Sequence, residues 1–241
     1  METRTLLLWV LAVAGVSNLG EAVSWAVDQP PLDPAWQEIQ LRVDVRNLSG
    51  PKDVGKLSPD YMLQRVSDTN SVWSQCKIRF VPRTVGNVIA SDLHIPYEPK
   101  SQDDLGHIAG ALNPQGFHNA IPLTFAGPWT FFDQGSGLYL HGLGWVFTSG
   151  NKLDRIGAMI AAQKLSDPHA GALIGHELGH ALSLGHSGES DNVMAGGNRL
   201  KRDQYMQTRS FSQSVLADFM VPARDGMTTP LKVAIDNGTN R

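Results

Sequence analysis

The chain has 241 residues, 41% hydrophobic and 18% charged, the profile of one ordinary globular domain with enough apolar material for its own core. Its 20 Lys and Arg against 23 Asp and Glu leave a net charge of −3, with the densest basic run, NRLKR, at 198–202. That balance argues against nucleic acid as a partner, and a single cysteine, Cys76, excludes a disulfide framework within the chain.

The N-terminal stretch METRTLLLWVLAVAGVSNLGEAVSWA has the pattern of a secretory signal. Arg4 is followed by an apolar run from Leu6 to Val16, too short to span a bilayer, and then by small residues that offer cleavage near Ala22 or as late as Ala26. A signal peptide over 1–22 is expected, with one domain over 23–241 and a secreted product; a buried N-terminal helix is the alternative. The Pro-rich lead-in DQPPLDP (28–34) leaves no room for a sizeable propeptide ahead of the first strand. IQLRVDV (39–45) alternates as a strand does. In 58–75, Ser58 as N-cap, Pro59 at the first helical position and Asp60 in the first turn announce a helix, with Met62, Val66 and Trp73 on its apolar face.

KIRFVPRTV (77–85) is a second strand, with Cys76 at its start as a small buried hydrophobe. Residues 86–120 are rich in Gly, Asn, Pro and Asp, and no element is assigned to them. SQDDLGH (101–107) and FDQGSG (132–137) read as turns, although either could hold calcium. IPLTFAG (121–127) and GLYLHGLGWVFTS (137–149) follow as strands, and RIGAMIAAQ (155–163) as a strand in preference to a short helix. A second main helix is expected to start with Asp167 as N-cap and Pro168 at its first position. Gly171, Gly175 and Gly179 recur on one face of it, which suggests another backbone packed closely there, since each costs about 1 kcal/mol relative to Ala. A C-terminal helix is expected near 201–219, and no other stretch is suited to crossing a membrane. NLS (47–49) and NGT (237–239) are glycosylation sequons.

Residues 176–186 read HELGHALSLGH. On a helix, residues four apart share a face about 6 Å apart along the axis, so His176 and His180 project in parallel towards a single metal ion. Glu177 occupies the neighbouring sector, within reach of a water at the metal without ligating it. Two ligands and a general base thus come from one turn. Composition alone would produce such a pentapeptide about once in a hundred chains of this length. A further histidine six residues on, His186, makes coincidence much rarer.

HELGHALSLGH followed by NVMA (192–195) resembles the metzincin zinc endopeptidases, whose signature is H-E-x-x-H-x-x-G-x-x-H with a downstream Met-turn. HELGHAL and the serine after the last histidine are most like the matrix-metalloproteinase branch and its short bacterial relatives. The resemblance covers about 176–195. It implies an α+β, zincin-like fold: a twisted mixed sheet with backing helices and an active-site helix as an upper lobe over 36–186, and a small irregular lower lobe over 187–241. It also implies one catalytic Zn2+ held by His176, His180 and His186, Glu177 as general base, Met194 as the Met-turn methionine, and protein or peptide substrates. The chain is expected to act as a monomer, away from membranes once the signal is removed. Two other classes stay open: a catalytically silent zinc-binding relative that binds proteins, and a zinc hydrolase of non-peptide amides or esters.

Ser183 departs from the pattern, which has glycine there in a left-handed turn. Either Ser183 takes that conformation, at a cost on the order of 1 kcal/mol, or Gly185 makes the turn. Were His186 displaced, Asp191 or Glu189 would be the third ligand. The context of Cys76 does not resemble a latency switch, and no tyrosine directly follows Met194; Tyr205 is too far along to ligate. His94, His107, His118, His141 and His169 lack metal spacing, and His141 with the glycines of HGLGWVF fits the edge strand above a cleft.

Overall fold

The computed structural model describes residues 11–12, 36–112, 119–129, 131–133, 138–149, 152–222 and 234–236, giving the backbone alone for 11–12, 131–133, 138–139 and 234–236. Most of the expected signal peptide, the Pro-rich lead-in, His118, residues 134–137 and the sequon at 237–239 lie outside the described residues. The elements are β1 (Leu11–Ala12), β2 (Ile39–Ser49), α1 (Pro59–Trp73), β3 (Ile78–Ile89), α2 (Gln102–Leu112), β4 (Ile121–Ala126), β5 (Phe131–Asp133), β6 (Leu138–Ser149), β7 (Lys152–Ala161), α3 (Ala170–Ala181), α4 (Arg202–Ser214) and β8 (Ala234–Asp236).

The strands form one mixed sheet in the order β1-β6-β7-β4-β2-β3-β8, with β5 paired to β6. The pairs β2–β3, β2–β4, β4–β7 and β3–β8 are parallel, and β6–β7, β1–β6 and β5–β6 antiparallel. The expected α+β arrangement of a mixed sheet with helices is the one the chain forms. Parallel strands need crossovers, and helices covering both faces bury those strands twice over. β4 is accordingly buried along its whole length. In β7, Ile156, Ala158 and Ile160 join the core under α1 and α3, while Met159 and Ala161 join a second core under Leu105, Ile108 and Leu112 of α2. Period-2 alternation thus feeds two layers from one strand.

α1 begins where the capping residues place it, with Ser58 Oγ accepting from the Tyr61 amide at 3.2 Å. Residues 101–107 do not form a turn. They open α2, whose Ser101 Oγ accepts from the Asp104 amide at 3.1 Å while Asp104 accepts from the Lys100 amide at 2.7 Å. Cys76 is fully buried in a 3-10 turn just before β3, not in the strand itself. Asn47 has 0% exposure and donates to the Gly55 carbonyl and to Asn87, so its sequon is closed to modification in the folded chain. α4 and a following 3-10 turn, Ala217–Phe219, occupy the expected C-terminal helix. Among the described residues no helix is long and apolar enough to cross a membrane.

Candidate metal centre

α3 runs through the core with every residue but Leu173 buried. It starts at Ala170, two residues later than the Asp167 cap would place it; Asp167 instead accepts from the His169 amide (2.8 Å) in a turn that precedes the helix. The glycine stripe explains how so central a helix is accommodated. Gly171 lies against the backbone of Asp68 in α1, as a close-packed partner requires. Gly175 faces the indole of Trp73, which donates to its carbonyl at 3.1 Å, and a Cβ on Gly179 would strike the sulfur of Met194. The close approach is to backbone at the first position and to side chains at the other two.

Three titratable side chains are buried in this apolar helix: His176 at 0%, Glu177 at 1% and His180 at 4% exposure. Such groups are seldom fully buried without a partner. His176 Nδ1 donates to the Val193 carbonyl at 2.7 Å and His180 Nδ1 to the Leu184 carbonyl at 2.8 Å. A carbonyl can only accept, so both neutral rings carry their proton on Nδ1 and a bare lone pair on Nε2. Those two Nε2 atoms face one another at 3.2 Å. Burial lowers the pKa of His176 to about 4 and of His180 to about 3, so at neutral pH no shared proton relieves the facing lone pairs.

His186 completes the group. Its ring centroid is 5.6 Å from that of His176 and 4.7 Å from that of His180. One ligand atom from each of the three residues lies within 4.8 Å of the others, and among the described residues no other group of three or more His, Cys, Asp or Glu gathers in this way. His186 is solvent-exposed, and burial lowers its pKa less completely than for the helical pair. The turn that brings it in is made at Ser183, with φ of 72°; Gly185 is not left-handed. The Ser183 amide donates to the His180 carbonyl (3.0 Å) and the Leu184 amide to that of Gly179 (2.9 Å), the paired bonds of a Schellman helix end with serine in glycine's usual place. Asp191 and Glu189 are turned elsewhere, in ion pairs with Arg199 and Lys201.

Glu177 lies beneath β6. A Cβ on Gly142 would collide with its carboxylate and one on Gly144 with its main-chain carbonyl, so the glycines of HGLGWVF are what let the strand cross the helix here. No hydrogen bond of ordinary geometry reaches either carboxylate oxygen, and burial raises the pKa well above the usual range, opposed only by the nearby Gly144 amide. Met194 is fully buried in a 3-10 turn, Val193–Ala195, capped by Asn192, whose side chain accepts from the Met194 amide at 2.9 Å. Gly196 closes that turn with φ of 90°, and an amide pair between Asn192 and Gln204 ties it to α4.

The carbonyls of Val193 and Leu184 were not singled out by sequence, although Asn192 before an apolar turn is a capping signal that marks where Val193 sits. Tyr205 is buried with an unbonded hydroxyl.

No family model and no curated protein matches the chain in sequence. Among solved structures it is similar to metalloproteinase-II from Bacteroides fragilis, with a TM-score of 0.44 and 11% identity over 76% of this chain and 57% of that one. The chain therefore spans little more than half the length of that protein. It is also similar to archaemetzincin from Methanopyrus kandleri, with a TM-score of 0.42 and 12% identity over 71% of this chain and 96% of that one.

Proposed function

We propose that the chain is a secreted zinc-dependent endopeptidase of the metzincin kind, with His176, His180 and His186 as metal ligands and Glu177 as the catalytic acid–base. The observation that carries this is the pair of buried Nε2 lone pairs 3.2 Å apart, which only a cation relieves while both Nδ1 protons are held by carbonyls. Three imidazole nitrogens form a donor set that would suit zinc in a hydrolytic site. The signature of 176–186 and the buried Met194 support the metzincin assignment, and HELGHAL with Ser187 supports the matrix-metalloproteinase-like branch.

Zinc, when bound, supplies a Lewis acid for the scissile carbonyl and a positive charge that favours ionised Glu177. Val193 and Leu184 hold the two helical imidazoles in the tautomer that presents Nε2. The Glu177 carboxylate takes a proton from the attacking water and returns it to the nitrogen of the leaving amine. Removal of the signal peptide would free the edge of β6 that Leu11 and Ala12 occupy beside Gly142 and Leu140, and an extended substrate would pair there in the same antiparallel way. Export rests on the signal-like N-terminus.

The test is zinc content together with cleavage of a peptide library. The wild type should hold one zinc and cut, and Glu177→Gln should keep the zinc and lose about 10²- to 10⁴-fold in rate. Stoichiometric zinc without cleavage of any peptide would defeat the peptidase assignment and leave a silent zinc-binding module or a hydrolase of other amides and esters.

A further inference from the structure

We infer that Gln207 is a positioning residue for the third metal ligand, its side-chain amide pinning the left-handed turn at Ser183 that carries His186 to the other two histidines. The inference rests on the metal centre proposed above. Ser183 has φ of 72°, a conformation that an L-residue leaves readily and that helix ends normally assign to glycine. A chain that turns there on serine needs something outside the helix to hold it.

The peptide plane between Ser183 and Leu184 is held at both ends. Its amide donates to the Gly179 carbonyl at 2.9 Å, a bond within the helix end itself. Its carbonyl accepts from Gln207 Nε2 at 2.6 Å, a bond from α4, and the same nitrogen lies 3.5 Å from Ser183 Oγ. One residue further on, the Leu184 carbonyl accepts from His180 Nδ1 at 2.8 Å. The clamped turn therefore sets the ring of the second ligand as well as the approach of the third.

The base of the clamp is firm. Arg209, two residues beyond Gln207, is buried and donates to the carbonyls of Cys76 and Gln37 at 2.9 Å each, fixing α4 against the chain just before β3 and β2. Gln207 itself is exposed and fills no core space, so replacing it removes the hydrogen bond without opening a cavity.

The experiment measures the zinc dissociation constant by chelator competition for the wild type, Gln207→Ala, Gln207→Glu, Ser183→Gly and the double variant Ser183→Gly with Gln207→Ala. Gln207→Ala and the near-isosteric Gln207→Glu, which lacks the donor, should each weaken zinc binding about three- to tenfold. With glycine at 183 the turn holds itself, and Gln207→Ala should then cost less than about twofold. The melting temperature of metal-free Gln207→Ala and Gln207→Glu should stay at the wild-type value, and Ser183→Gly should raise it by relieving the left-handed strain. Equal losses in both backgrounds, or no loss in either, overturn the inference while leaving the metal centre standing. A wild type that takes up no zinc overturns both.

Discussion

His176 and His180 reach the metal centre from a helix, while His186 reaches it from a turn. The helical pair is buried, spaced by the geometry of a single turn of α3, and oriented by two main-chain carbonyls. The third histidine is exposed and depends on a serine held at φ of 72° by contacts from elsewhere in the fold. A helix supplies ligand spacing as part of its own hydrogen bonding, whereas a loop ligand needs tertiary contacts to define its place. The two kinds of ligand should therefore fail differently when disturbed.

The largest difference is expected from removing the ligands themselves. Zinc bound in a structural site is worth about 10–16 kcal/mol, on the order of 3 kcal/mol or more per ligand. His186→Ala should weaken zinc about 10²-fold, since water replaces an exposed ligand. His180→Ala should weaken it further, by about 10³-fold or more, because a buried site gains no ready substitute. Chelator competition on the two variants reads this directly, and equal losses would erase the distinction between helix and turn.

Acid should separate the two regions next. In the metal-free chain the pKa values of His176 and His180, about 4 and 3, lie below the value of 6.5 expected when unfolded. Below pH 6.5 the unfolded chain takes up these protons first, so stability is full above that pH and falls as the pH drops towards 4. Two such groups should remove about 3 kcal/mol between pH 6.5 and 5, visible in urea unfolding of chelator-treated protein. Replacing both residues by Asn should flatten the profile, whereas His186→Asn should change it little, because that ring is exposed.

The same contrast explains what could be read from the sequence. The H-E-x-x-H spacing, the Ser58 cap and the glycine stripe are local features, and each fixes a local structure that the fold retains. α2 is local too and was missed: Gly106 and Gly110 interrupt its pattern, yet a Cβ at either position would meet nothing within 4 Å, so these glycines weaken the helix without serving its packing. The cap formed by Ser101 and Asp104 was its available sign. The contact between Gln207 and Ser183 spans 24 residues and leaves no sequence pattern. Nor does the Val193 carbonyl, 17 residues from His176, since any residue type supplies a carbonyl. Position 183 shows the limit most clearly: serine there raised the choice between two turns, and only the fold around it selects the one that delivers His186.

X-ray absorption on the zinc-loaded wild type, set beside His186→Ala, tests the central claim most directly. The account predicts one zinc with three imidazole nitrogens at about 2.0–2.1 Å and one lighter oxygen neighbour, falling to two imidazoles in the variant. A wild-type spectrum with only two imidazoles, or one unchanged by His186→Ala, would contradict it.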